Sequence, residues 1–299
     1  MTAELEIIAE DDTLVGEAPL WDPSRQRLLW VDHWNKLVYQ LYPATGAKAI
    51  ISRDIHASGV ALNYPEGMIF AGWEGIHLWH NAKTRRCIAS EHEGEKLVFN
   101  DILADPHGRV YAASIHWGEK GMERTGHLYL LQTSGALRIV DEGIELSNGL
   151  GLSPDNGTLY FADTSARKIY AYDVDSRTGD LSRKRVFAAV PREEGIPDGL
   201  TVDSEGFVWC AHWYGAQVVR YDPDGKVERR IPMPVRQVSS VAFGGKDLTE
   251  LYITTAARPY RDEALAPIGY DFEAAHHGGA LYRLKLDVQG KKTYFAGIL

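Results

Sequence analysis

One phrase recurs six times along the chain, and that repetition limits the fold more than any other feature. "SNGLGLSPDNGTLYFAD" (147–163) lines up with "PDGLTVDSEGFVWCAH" (197–212), "FNDILADPHGRVYAAS" (99–114) and "GEAPLWDPSRQRLLWVDH" (16–33), and more loosely with "ASGVALNYPEGMIFAGW" (57–73) and "SSVAFGGKDLTELYITT" (239–255). Each copy opens on a small or polar residue, alternates apolar positions, turns at Asp, Pro or Gly, and continues through an aromatic-rich stretch. That pattern is a β-hairpin. A strand-like piece ending in a turn follows every copy, such as "KIYAYDVDSRTG" or "QVVRYDPDG", and the lead into the next copy has room for a fourth strand. Aligning Glu17, Ser58, Asn100, Asn148, Asp198 and Ser240 gives intervals of 41, 42, 48, 50 and 42 residues. A period of roughly 40 to 50 residues with four strands per unit predicts a β-propeller. Six copies predict an all-β ring of six four-stranded antiparallel blades. "LEIIAE" (5–10) precedes the first copy and is predicted to complete the last blade and close the ring. No linker interrupts the chain, which reads as a single domain over 1–299. A β-helix fits less well, because its repeats are shorter and more uniform.

Composition agrees, with 15 Tyr and 8 Trp suiting sheet. Lys and Arg number 32 against 41 Asp and Glu, a formal charge of −9 that repels phosphate backbones and anionic membranes. Nucleic acid and membrane are therefore not expected as partners. The N-terminus carries Glu4, Glu6, Glu10, Asp11 and Asp12 where a secretory signal needs basic residues and an apolar core. No apolar run approaches a membrane span. Cys87 and Cys210 form neither a disulfide framework nor a metal knuckle, so both are expected to be packing thiols. A soluble, cytoplasmic protein is the expectation.

In a propeller the first strand of each blade lines the central channel, so the six aligned positions should form a ring near one mouth. Glu17, Asn100, Asn148 and Asp198 would aim oxygen atoms at one point, with Ser58 and Ser240 beside them and no Lys or Arg in the ring. An empty cluster of this kind repels itself, and a bound cation relieves it. Turn chemistry explains many Asp, Asn and Ser residues at strand starts, but it does not favour Glu. The set Glu17, Asn148 and Asp198 is thus the candidate metal site. Oxygen donors favour Ca²⁺, Mg²⁺ or Mn²⁺, although carboxylates also accept Zn²⁺. Three or four protein ligands leave coordination positions open for chemistry.

The second strand of each hairpin returns to the same mouth, where "DHW" (32–34), "IHW" (115–117) and "AHW" (211–213) occur. His116, Trp117 and His212 are the expected substrate contacts, and His33 is a weaker candidate. The pair His276-His277 reads as solvated. Other chemistries leave little trace. "GLSPD" lacks the closing glycine of a serine-nucleophile elbow. "GLGLSP" (149–154) lies inside a strand rather than in a dinucleotide loop. "DVDSRTGDLSRK" (173–184) has Arg177 and Lys184 where a calcium loop needs oxygen ligands, so it reads as a hairpin turn.

"GEAPLWDP", "FNDILADPHGRVYAAS", "SNGLGLSPDNGTLYFAD", "IPDGLTVDSEGFVW" and "AFGGKDLTELYITTA" together resemble the family of regucalcin (senescence marker protein), gluconolactonases and bacterial sugar lactonases, over essentially the whole chain. The resemblance implies a six-bladed propeller with one divalent cation, most simply Ca²⁺, held by Glu17, Asn148 and Asp198. It implies that Asn100 contacts substrate or a metal-bound water and that Asp198 acts as the catalytic base; because metal coordination weakens a carboxylate as a proton acceptor, metal-activated hydroxide oriented by Asp198 is the alternative. Two positions depart from the family pattern. Val98 stands where members carry Arg, and Gly118, next to Glu119, stands where they carry Glu. Both departures bear on substrate recognition and leave the metal triad intact. The expected activity is metal-dependent hydrolysis of a sugar-derived aldonolactone. The alternatives are an organophosphate or ester hydrolase on the same site, or non-catalytic calcium binding of the regucalcin type.

Overall fold

The computed structural model describes residues 4–10, 13–81, 83–118, 121–258, 260–273 and 278–299, without the side chains of 117, 118 and 121–124. Six four-stranded antiparallel sheets stand around one axis; in blades 1, 2, 4 and 5 each strand pairs with the next in chain order, while blade 3 passes over a small hairpin between its second and third strands and blade 6 takes its outer strand from the N-terminus. Blade 1 comprises Gly16–Asp22, Arg27–Asp32, Leu37–Tyr42 and Ala47–Ser52. The inner strands of blades 2 to 6 are Ala57–Leu62, Phe99–Ala104, Ser147–Leu152, Ile196–Val202 and Val238–Gly244. These inner strands touch their neighbours in a closed cycle, blade 6 returning to blade 1. The leftover strand Leu5–Glu10 pairs with Ala280–Lys285, placing Leu5 opposite Leu284, so it forms the rim of blade 6 and closes the ring as the sequence predicts. A 2.6 Å ion pair between Arg283 and Glu6 fastens this seam. Among the described residues no helix is long and apolar enough to cross a membrane.

Because each blade is covered on both faces by its neighbours, its second strand runs as a nearly continuous buried apolar stretch rather than alternating. Arg27–Asp32 is buried along its whole length. Six apolar clusters fill the six blade interfaces, and a seventh packs Ile196, Trp213 and Tyr214 against Ala256 and Ala266. Val31 and Val38 meet Val60 and Phe70 between blades 1 and 2, and Tyr111 and Leu128 meet Leu150 and Phe161 between blades 3 and 4. Each such side chain contributes about 1.5–3 kcal/mol through burial. The hairpin turns away from the candidate site are built alike in three blades. Asp22, Asp105 and Asp203 each accept backbone N–H groups of their turn. Each also binds an arginine, Arg27 at 2.9 Å, Arg109 at 2.6 Å and Arg220 at 2.7 Å.

The repeat does not foretell the C-terminal tail. After the last strand the chain crosses that same end of the channel and bonds to every blade in turn. Leu286 N–H donates to Thr249, Gln289 accepts from Ser204, Lys291 reaches the Leu152 carbonyl and Thr293 reaches that of Trp21. Ala296 and Gly297 then donate to Leu62 and Gly108. The tail closes one end of the channel over a cavity of about 140 Å³ whose lining includes Asp101, Ser240 and Lys291.

All six inner strands break register at or beside the aligned position. The irregularities fall between Glu17 and Leu20, Ala57 and Gly59, Phe99 and Asp101, Ser147 and Leu150, Pro197 and Leu200, and Val238 and Ser240. A bulge bends a strand and re-aims a side chain that regular alternation would send into a neighbouring blade. This is how Glu17, Asn100, Asn148 and Asp198 come to face the axis.

Candidate active site

Four of the six aligned residues meet. At the mouth away from the tail lies a pocket of about 380 Å³ whose lining includes Glu17, Asn100, Asn148 and Asp198. Ser58 and Ser240 do not join them. Ser58 bonds His33 Nδ1 at 2.8 Å, and Ser240 lies against Gly199 and the lower cavity.

The glycine after each of two candidate ligands explains their proximity. A Cβ on Gly149 would lie 2.2 Å from Leu200 N, and one on Gly199 would lie 2.0 Å from Ser240 Oγ. Only a bare backbone lets blades 4, 5 and 6 approach this closely, which sets Asn148 beside Asp198. The amides are locked in orientation. Asn148 Nδ2 donates to Thr164 Oγ1 at 3.3 Å, Thr164 donates to the Pro197 carbonyl at 2.7 Å, and Asn100 Nδ2 donates to the Ser147 carbonyl at 2.7 Å. Each amide thus keeps its oxygen as the free donor atom.

The electrostatics of the floor are severe. Burial, and then the Asp101 carboxylate, push Glu17 up to about 8, and burial pushes Asp101 up to about 7. Asp198 rises well above the usual carboxylate range through burial, Glu17 and Asp101 in that order. Asp198 Oδ1 is buried, without a hydrogen-bond partner among the described residues. Among the described residues no group of three or more His, Cys, Asp or Glu is poised to hold a metal. The candidate set instead combines the carboxylates of Glu17 and Asp198 with the oxygen of Asn148. Those donors, the orphaned oxygen and the mutual repulsion fit a hard divalent cation.

Sequence reasoning missed Asp101. It follows Asn100 in "FND" and sits at the edge of the register break, the one signal that could have marked it. It also missed the strap between Thr255 and Ala280, whose Arg258, Tyr260, Arg261 and Leu265 line the pocket. This connection is far longer than its counterparts in the other blades, and that length was the available signal. Arg167 and Arg192 hold the strap through the carbonyls of Leu265 and Ala266.

The predicted histidine rim is rearranged. His33 and Trp34 line the pocket in blade 1. His33 accepts from Trp73 Nε1 at 3.0 Å, and burial followed by His56 pushes it down to about 4. In blade 3 Ile115 lines the pocket and His116 does not. Trp117 and Gly118 lie on the short strand His116–Gly118, but the Trp117 side chain, Glu119 and His276-His277 are outside the described residues. In blade 5 the structure does not bring His212 to the pocket. It is fully buried, with Nδ1 on the Glu194 carbonyl and Nε2 on the Tyr221 hydroxyl, while its neighbour Trp213 lines the mouth. Successive strand residues point to opposite faces, so only one of the pair can do so. Val98 is part-buried, holds Ile115 N–H through its carbonyl, and is not in the lining.

The family described as "SMP-30/Gluconolactonase/LRE-like region" matches residues 15–257. The chain belongs to the SMP-30/gluconolactonase/LRE-like family. Within that family it is 34% identical over 287 residues to pentonolactonase XacC of Haloferax volcanii, covering 96% of each chain. It is 31% identical over 274 residues to the regucalcin of Danio rerio, covering 88% of this chain and 90% of the relative. A solved structure of regucalcin from Agrobacterium tumefaciens, described as a calcium-binding protein, superposes with a TM-score of 0.85 at 26% identity, covering 98% of this chain and 97% of that one.

Proposed function

We propose that this chain hydrolyses a lactone, the cyclic ester of a sugar-derived hydroxy acid, on the floor of the pocket, in the cytoplasm. The observation that carries the reading is the convergence of Glu17, Asn100, Asn148 and Asp198 in one pocket, with Asp198 Oδ1 buried and unpartnered among the described residues. Similarity to a pentonolactonase supports the substrate class. Glu17, Asn148 and Asp198 would hold a divalent cation, Ca²⁺ first and Mg²⁺, Mn²⁺ or Zn²⁺ as alternatives. When bound, such an ion supplies Lewis-acid polarisation of an ester carbonyl and cancels the carboxylate repulsion.

The chain's own residues do the rest. Asp198 orients a water and takes its proton as the water oxygen adds to the carbonyl carbon. When the ring C–O bond breaks, that proton passes to the departing ring oxygen, leaving the open hydroxy acid. Asn100, its N–H committed to Ser147, offers Oδ1 to a substrate hydroxyl. Trp34, Trp73 and Trp213 wall the pocket and restrict bulk water.

The test is a pH-indicator screen of aldonolactones with metal-stripped and metal-restored protein, alongside Glu17→Ala and Asp198→Ala. Near-native turnover in either variant rejects the assignment. A second reading, calcium binding without turnover, is favoured by the likeness to a regucalcin described as calcium-binding. It predicts metal uptake with no lactone opened, and paraoxon in the same screen reports phosphotriester hydrolysis.

A further inference from the structure

We propose that Arg258 is an anion anchor at the pocket mouth, and that the substrate is a lactone carrying a carboxylate remote from its ester. This rests on the lactonase reading and specifies its substrate class. The walls above the floor offer few uncommitted polar groups. His33 is engaged by Ser58 and Trp73, and the Thr164 hydroxyl donates to Pro197. Arg261 is paired with Glu263 at 3.0 Å and Glu273 at 3.6 Å. Arg258 differs. Its guanidinium lies 3.9 Å from the centroid of the Trp34 ring, and among the described residues no carboxylate is paired with it. A guanidinium lying on an aromatic face is held in orientation while its in-plane N–H groups stay free, the geometry that receives a carboxylate edge-on. Trp34 is itself a pocket wall and 40% exposed, so this face opens to incoming solute. In a chain of net charge −9, such an arginine beside an acidic floor separates the pocket into an end for the ester and an end for an anion. A cavity of about 380 Å³ has room for a compact lactone spanning both.

The experiment compares a neutral aldono-γ-lactone with the monolactone of the corresponding dicarboxylic sugar acid, at low and high salt, in the full-length protein with Ca²⁺. The wild type is expected to favour the acid-bearing lactone in kcat/KM by about 10-fold or more, the scale of one charge-assisted hydrogen bond, with the preference shrinking as salt rises. Arg258→Gln should lower kcat/KM for the acid-bearing lactone at least about 10-fold more than for the neutral one, chiefly through KM, and Arg258→Lys should recover part of it. Calorimetric binding of the open dicarboxylate should weaken in Arg258→Gln in parallel, independently of turnover. Equal loss on both lactones, or a wild-type preference for the neutral one, overturns the anchor and leaves the lactonase reading standing. Wild-type protein that opens neither lactone overturns both.

Discussion

His212 Nδ1 lies 2.9 Å from the carbonyl oxygen of Glu194, so the imidazole at the end of one strand ties down the loop that enters Asp198. The same device occurs in the other two blades that carry candidate metal ligands. Asp32 accepts Leu14 N–H at 2.9 Å just before Glu17, and Asp163 accepts Leu146 N–H at 3.0 Å just before Asn148. These residues face Pro197, Gly16 and Ser147 in the strand registers, each the neighbour of a candidate ligand. A histidine in the rim motif thus serves the site by positioning backbone.

A carbonyl can only accept, so His212 Nδ1 carries the hydrogen and Nε2 accepts from the Tyr221 hydroxyl at 3.0 Å. Burial pushes this imidazole down to about 4. Between pH 6.5 and 4 the unfolded chain therefore binds a proton that the folded one refuses, and stability falls as pH drops through that window. The contribution of this group is on the order of 3 kcal/mol. Urea unfolding of His212→Gln should start about 1–3 kcal/mol below wild type at pH 7, from the partners left unpaired. It should then lose less than wild type on going to pH 4.

Gly199→Ala is expected to be among the most damaging single-methyl changes in the protein. The new Cβ would fall 2.0 Å from Ser240 Oγ and 2.6 Å from Ser240 Cα, and the second contact is backbone that cannot rotate away. Overpacking of this kind costs about 1–3 kcal/mol or more. Ser240→Gly should recover part of the loss, which a double-mutant cycle on denaturation midpoints would measure. Additive effects would mean that the two strands are not in the contact described.

The propeller was legible because six blades must solve the same packing problem with the same strand pattern, and the seam was legible because Leu5–Glu10 had no partner within the first copy. The convergence of Glu17, Asn148 and Asp198 on one pocket was legible because aligned repeats share a position near the axis. What the repeat could not show is whatever differs between blades. Ser58 and Ser240 share the alignment yet turn to His33 and Gly199, because local neighbours, not the period, decide where a hydroxyl bonds. Arg258 and the tail have no counterparts in other blades, so no alignment exposes them. The choice between His212 and Trp213 depends on which face the last strand residue presents, a one-residue matter that a motif of adjacent residues leaves open.

Removing residues 291–299 tests whether the tail is a structural clasp. Lys291 donates to Leu152 at 2.7 Å, Thr293 to Trp21 at 2.9 Å and Ile298 N–H to Asn63 Oδ1 at 2.9 Å, joining blades 4, 1 and 2. Ala296 and Ile298 are also buried in the cluster between blades 2 and 3. The truncated chain should melt several degrees lower and lose amide-exchange protection first in blades 2 and 3, a loss of about 2 kcal/mol or more from the two apolar side chains alone. An unchanged melting profile would assign the tail no clasping role.

The crowded carboxylates make a prediction that separates charge from catalysis. Glu17, at about 8, and Asp101, at about 7, hold protons in the folded state that the unfolded chain releases near pH 4. Between about pH 4 and 8 the folded state binds more protons, so metal-free stability should fall as pH rises through that window. A divalent cation must displace those protons, so the melting-temperature gain from added Ca²⁺ should be larger at pH 8 than at pH 5. Asp198→Asn removes one member of the cluster while keeping its shape. At pH 8 the metal-free variant should melt above metal-free wild type, and its Ca²⁺-induced gain should largely vanish. Its lactone turnover should fall by about 100-fold or more. Calorimetry with chelator or Ca²⁺ at both pH values reads the first two effects without reference to any substrate. A gain independent of pH, or one that Asp198→Asn keeps in full, would place cation binding away from Asp198, because only an ion seated among these oxygens couples its affinity to their protons.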